Sequence, residues 1–205
     1  PVPAEVIAAR HEADAKLYPP GSKQILFGDL HVHTSYSTDA FLMSLPLMQG
    51  EGPNPISAAC DYARFCSELD FWAITDHAEG LTPRIWRETK QSVRQCNAVA
   101  GEGASPDLVT FLGFEWTQIG QTPEDHWGHK NVIFRETAED RVPKRPIHSD
   151  SFARRAMMRG APLSVQIQFP LRDWANRERY FSFGAANREL RGTPSCPAGV
   201  DTREL

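Results

Sequence analysis

Hydrophobic residues fall in short blocks whose period switches between that of a helix and that of a strand. Val6, Ala9, Ala13 and Leu17 keep helical spacing and predict a short amphipathic helix that the Pro19-Pro20-Gly21 break follows. Ile25, Leu26, Phe27, Leu30 and Val32 then form an apolar run that predicts a first strand from about Gln24 to His33. After a long loop, Asn54-Pro55 reads as a cap with proline at the first helical position, and Ile56, Ala59, Cys60, Ala63 and Cys66 carry a helix to about Leu69. Phe71 to Thr75 is a second strand. Thr82-Pro83 repeats the start signal for a helix marked by Ile85, Trp86, Thr89, Val93, Cys96 and Val99 and ended by Gly101. Leu108 to Phe114 and Lys130 to Arg135 are strands three and four. Beyond about residue 136 the pattern thins to one alternating stretch, Leu163, Val165, Ile167 and Phe169. Strands alternating with helices predict an α/β fold on a parallel sheet, open or closed into a barrel.

The polar positions inside these blocks change the picture from a bare fold to a site. His31 and His33 lie two apart on the first strand, so both imidazoles and Asp29 share one side of it. Asp76-His77 closes the second strand, Glu115 closes the third, and His126 and His129 immediately precede the fourth. In parallel α/β folds the strand C-termini share one face, where sites are built from residues distant in sequence. Histidines with a glutamate supply the nitrogen and oxygen donors that Zn, Mn or Fe accept, with a carboxylate able to bridge two ions.

Composition adds bounds and exclusions. At 205 residues the chain is shorter than the roughly 250 of a complete (β/α) barrel. No apolar stretch approaches the roughly 18 residues of a membrane span. Residues 1–140 hold 10 Lys+Arg against 20 Asp+Glu, and 141–205 hold 12 against 6, so an acidic part suited to cations precedes an Arg-rich one. Without a Lys/Arg run or aromatic-basic interleaving, no nucleic-acid partner is expected. Cys60, Cys66, Cys96 and Cys196 show no C-x-x-C spacing, which leaves one or two disulfides or buried thiols on helices. No Gly-x-Ser-x-Gly elbow surrounds Ser35 or Ser37, so a serine hydrolase is excluded. His11 and His148 read as surface and the Arg154, Arg155 and Arg159 stripe as solvated or partner-facing; Tyr36, Trp116 and Trp127 lie near the proposed ligands, as pocket lining or as core.

These motifs also carry a resemblance. Leu30-His31-Val32-His33-Thr34-Ser35-Tyr36-Ser37-Thr38-Asp39-Ala40 resembles the first motif of the PHP (polymerase and histidinol phosphatase) superfamily, and Ala73-Ile74-Thr75-Asp76-His77 its second. Phe111-Leu112-Gly113-Phe114-Glu115 is similar to the segment with that superfamily's bridging glutamate, and Gly128-His129-Lys130-Asn131 to its next histidine motif. More narrowly, the chain resembles a large, poorly characterised family of PHP-like bacterial proteins of several hundred residues. The resemblance implies a distorted (β/α) barrel binding two or three divalent ions. His31 and His33 would hold one, Glu115 would bridge, His77 would serve a second, and His129, which matches the motif better than His126, a third or neighbouring ion. Asp39 matches a position that is often a ligand, at a spacing one residue longer than the commonest form. Asp29 and Asp76 would orient imidazoles through the other ring nitrogen, and Glu79 would do the same or cap the following turn.

The implied activity is hydrolysis of a small-molecule phosphate ester by a metal-activated hydroxide. An amidohydrolase-type metal enzyme acting on C-N or C-O bonds, and a non-catalytic metal-binding fragment, are the alternatives. The chain divides into a leader (1–23), the N-terminal part of a PHP-like metal-binding domain (24–135) and an irregular Arg-rich continuation (136–205). No Asp-x-His follows, and residues 196–205 resemble an interior segment, so the expectation is the N-terminal portion of a larger bacterial enzyme. Its uncovered barrel edges would favour self-association, and an extracytoplasmic location is expected, with the cytoplasm as alternative.

Overall fold

All four main strands form, as β1 (Gly28–Val32), β2 (Phe71–Ile74), β3 (Val109–Gln118) and β4 (Gly128–Phe134), in a sheet of order β1-β2-β3-β4. The computed structural model describes residues 2–45, 49–50, 54–100, 106–149, 154–155, 159 and 162–195. The predicted stop at Gly101 and the 196–205 segment with Cys196 lie outside them. β1 pairs parallel with β2, and β2 with β3, because a helix occupies each connection. β4, expected parallel, runs antiparallel to β3. Residues 119–127 between them are too few for a crossover, which needs a dozen or more residues. The sheet curls into a half-barrel, and Asn131 of β4 reaches back to donate to the Leu30 carbonyl of β1 at 3.0 Å. Gly113 lies where the strands press closest, since a Cβ there would sit 2.7 Å from the Val132 carbonyl and 2.9 Å from that of Ile74.

The helices follow their start signals. α1 (Ala4–Leu17) forms but buries none of its residues, so its predicted apolar face has no packing role here. A short α2 (Thr38–Met43) occupies the loop after β1. α3 (Ile56–Asp61) has Pro55 and not the predicted Asn54 at its cap position, and it continues as a π turn, Tyr62–Cys66, that stops short of Leu69. α4 (Pro83–Ala98) has the predicted cap, with Thr82 Oγ1 accepting from the Ile85 amide at 3.2 Å. Its Ile85, Trp86, Val93 and Cys96 meet Ile56, Trp72, Ile74, Leu112 and Phe114 in the core between helices and sheet. Trp86 stands edge-on to Phe114 and donates its indole N–H to the Pro143 carbonyl at 2.9 Å.

The cysteines resolve their open alternatives in part. Cys60 of α3 and Cys96 of α4 are joined in a disulfide, with Cα atoms 6.2 Å apart, whereas Cys66 is an exposed free thiol and not a packed one. Arg64, buried in the π turn, donates to Asp107 at 2.9 Å and to the Cys96 carbonyl at 2.9 Å, bracing the same junction.

The 136–205 stretch is more regular than expected. Where an alternating strand was predicted lies α5 (Leu163–Arg172), and α6 (Arg177–Arg191) follows. Leu163 and Ile167 are also one helical turn apart, so this short apolar run fits both periods, and tertiary contacts decide. Phe169 stacks on Tyr180, and Phe183 stacks on Phe41 of α2 with ring centres 4.3 Å apart. Two surface assignments also fail here: His148 and Arg154 are buried, with Arg154 donating to the Thr193 carbonyl at 2.5 Å and to Ser195 Oγ at 3.2 Å. Arg155, Arg159 and His11 are exposed as expected. No helix among the described residues is long and apolar enough to cross a membrane.

Candidate metal centre

His31 is on β1 and His33 one residue beyond it, so the strand's alternation turns both rings to one side. Their Nε2 atoms are 2.9 Å apart, and Glu115 Oε2 lies 3.0 Å from the first and 2.8 Å from the second. A tetrahedral ion with bonds of about 2.0 Å sets its ligand atoms about 3.3 Å apart, so these three donors are close to a coordination face. Glu115 is carried inward by β3, only 2% of its side chain is exposed, and β3 extends past the predicted Phe114 end to include it. His77 bridges to Glu115 by backbone pairing at the end of β2, placing its Nδ1 3.7 Å from Glu115 Oε2. From β4, His129 Nδ1 approaches Glu115 Oε1 to 2.5 Å. The reversal of β4 brings the start of that strand, not its end, to this rim of the sheet.

Donor atoms thus gather in three overlapping groups: His31, His33 and Glu115; His33, Asp39 and His77; His77, Glu115 and His129. Asp39, at the first turn of α2, lies 3.1 Å from His77 Nε2 and 3.7 Å from His33 Nδ1. Burial raises the Asp39 carboxyl, but its pairing with the imidazoles of His33 and His77 outweighs it and holds the group well below the usual carboxylate range. The same partnership holds His33 and His77 above the ordinary imidazole value against burial, which lowers both.

The structure assigns other work to two expected positioning residues. Asp29 accepts from the backbone N–H of His31 at 2.8 Å. Asp76, fully buried, accepts from the Thr34 amide at 2.6 Å and the Thr34 hydroxyl at 2.7 Å; burial pushes it up to about 6 despite both donors. Among the described residues neither carboxylate hydrogen-bonds an imidazole, so Asp76 instead fixes the backbone that leads from His33 to Asp39. Hydroxyls do the positioning expected of the carboxylates. Ser37 Oγ lies 2.7 Å from His33 Nδ1 and accepts from the His77 amide at 2.8 Å. With the His33 Nδ1–H donating to Ser37, the Nε2 lone pair is left for an ion. Thr117 Oγ1 sits 2.9 Å from His77 Nδ1 and 3.1 Å from His129 Nδ1. Thr117 was legible in principle, since it stands two residues past Glu115 on one strand and therefore on the same side.

The remaining candidates lie apart. His126 is exposed, 3.5 Å from the Gly120 carbonyl, and belongs to none of the three groups. Trp127 is exposed and Trp116 lies beneath the Lys130 ammonium. Tyr36 does line a cavity, of about 520 Å³, together with Arg84, Arg179 and Phe183, while Ser37 of the same segment meets His33 and Thr34 bonds Asp76. Glu79, in the 3-10 turn Ala78–Gly80, neither orients an imidazole nor caps the turn with its side chain. It is buried, and burial pushes it up to about 7.

Residues 20–102 match the sequence family described as "Protein of unknown function (DUF3604)". The matched stretch contains His31, His33, Asp39, His77 and Glu79 and ends before Glu115 and His129. No curated protein and no solved structure matches the chain.

Proposed function

We propose that the chain carries the metal-binding part of a PHP-type phosphoesterase, hydrolysing a small-molecule phosphate ester with two or three divalent ions. The observation that carries this reading is the sharing of Glu115, His33 and His77 among three adjacent donor groups. A single-ion structural site would close around four ligands, whereas shared donors suit neighbouring ions with a bridging carboxylate. The mixed nitrogen and oxygen donors suit Zn, Mn or Fe. Such ions, when bound, lower the pKa of water toward neutrality and neutralise phosphate oxygens. The chain's residues supply the frame: Ser37 and Thr117 hold imidazole orientation, and Asp76 holds the ligand-bearing 33–39 segment through Thr34. The exposed rings of His31 and His129 leave the cluster open to a substrate from solvent. Exposed Leu26, Phe27, Leu30 and Val132 beside the outer strands support the barrel being completed by further chain or by self-association.

With Mn or Zn added, an aryl phosphate should be hydrolysed, activity should vanish with chelator, and His77→Ala should lower it by orders of magnitude. Hydrolysis of amides or lactones with no turnover of phosphate esters would move the assignment to the amidohydrolase class.

A further inference from the structure

Glu79 is the one acidic side chain beside the cluster whose carboxylate has both oxygens buried and neither hydrogen-bonded among the described residues. The residue is 3% exposed. The 3-10 turn that carries it begins directly after His77 and packs against β3, the strand of Glu115. His77, Glu115 and Arg154 are the ionisable groups close enough to act on it. Arg154 does not form an ion pair with it; that guanidinium is engaged by the Thr193 carbonyl and the Ser195 hydroxyl. A buried carboxylate with no donor from another residue is costly, and a second buried carboxylate nearby, Glu115, makes its charge costlier still. A cation held between two carboxylates and histidines would compensate such a group.

We propose that Glu79 belongs to the metal centre, holding through an intervening water the cation of the His77, Glu115 and His129 group. The assignment rests on the metal-centre reading above and extends it to a residue outside the three donor groups. Glu79 then adds negative charge where the imidazoles of His77 and His129 add none, which favours a divalent ion over a monovalent one. The same reasoning explains why an otherwise unfavourable glutamate occupies a turn walled by Ala78 and Leu81, both buried.

The test is Mn²⁺ binding by the full chain, followed by equilibrium dialysis and by melting temperature, in wild type, Glu79→Gln and Glu79→Asp. Glu79→Gln should weaken Mn²⁺ binding about 10- to 100-fold, with the melting temperature of the metal-free variant showing that it folds. Glu79→Asp, which keeps the charge but shortens its reach, should bind more weakly than wild type and more tightly than Glu79→Gln. Wild-type affinity in Glu79→Gln would overturn the assignment of Glu79 and leave the His/Glu centre standing. If Glu79→Gln does not fold, wild-type affinity in Glu79→Asp overturns it equally. A wild type that takes up no Mn²⁺ overturns both this assignment and the reading it rests on.

Discussion

Glu115→Ala should remove ions from two of the three donor groups at once and lower phosphate-ester hydrolysis by roughly 10³-fold or more, beyond the 10- to 100-fold typical of groups that only orient ligands. The size of the effect follows from position. Glu115 offers Oε2 to His31 and His33 and Oε1 to His129, so one side chain joins three of the cluster's imidazoles. Its loss also leaves three imidazoles facing one another across the space it filled, without the carboxylate that holds them together. Mn²⁺ stoichiometry by equilibrium dialysis, read beside kcat, checks this. Retention of the wild-type number of ions by Glu115→Ala would remove the bridge from the account.

The second large effect concerns stability, away from the site. Arg64→Met should destabilise the fold by about 3–5 kcal/mol, the usual cost of breaking a buried pair and stranding one charge. Here the stranded group is Asp107, whose side chain is 4% exposed, and the Cys96 carbonyl loses its donor as well. At roughly 2–4 °C per kcal/mol for a chain of this size, the melting temperature should fall by about 6–20 °C. Arg64→Met combined with Asp107→Leu should recover much of that, because no charge is then left buried. Thermal melts of the two variants decide it, and a single variant that melts with wild type contradicts the reading of this ion pair.

How far the sequence reveals this molecule depends on the range of the interaction that decides each feature. Strand alternation is local, so His31 and His33 on one side of β1 could be read directly, and Thr82-Pro83 located the start of α4 because capping is settled within one turn. Placing His77 and Glu115 near one another required only that the ends of parallel strands meet at one rim, whereas His129, before β4, reaches that rim because β4 runs antiparallel. The direction of β4 was legible too, in the shortness of residues 119–127, but the helix-strand rhythm masked it. The identity of α5 was not legible, because Leu163 and Ile167 satisfy both periods and the choice is made by the packing of α6 on it, with Phe169 stacked on Tyr180. Nor was the burial of His148 and Arg154, whose surroundings come from residues distant in sequence. Cysteine spacing likewise left the Cys60–Cys96 pairing open, since it depends on how α3 lies against α4. Asp29 and Asp76 were expected to serve imidazoles because acidic residues commonly do beside metals; their short side chains instead satisfy nearby backbone amides.

The central claim is that this cluster binds metal, and the direct measurement is the divalent-metal content of the purified full chain, by elemental analysis before and after incubation with Mn²⁺ or Zn²⁺ and gel filtration. The account predicts at least two ions per chain for the wild type and the loss of at least one in the His31→Ala, His33→Ala double variant. A folded wild type that carries no metal and takes up neither ion would contradict it.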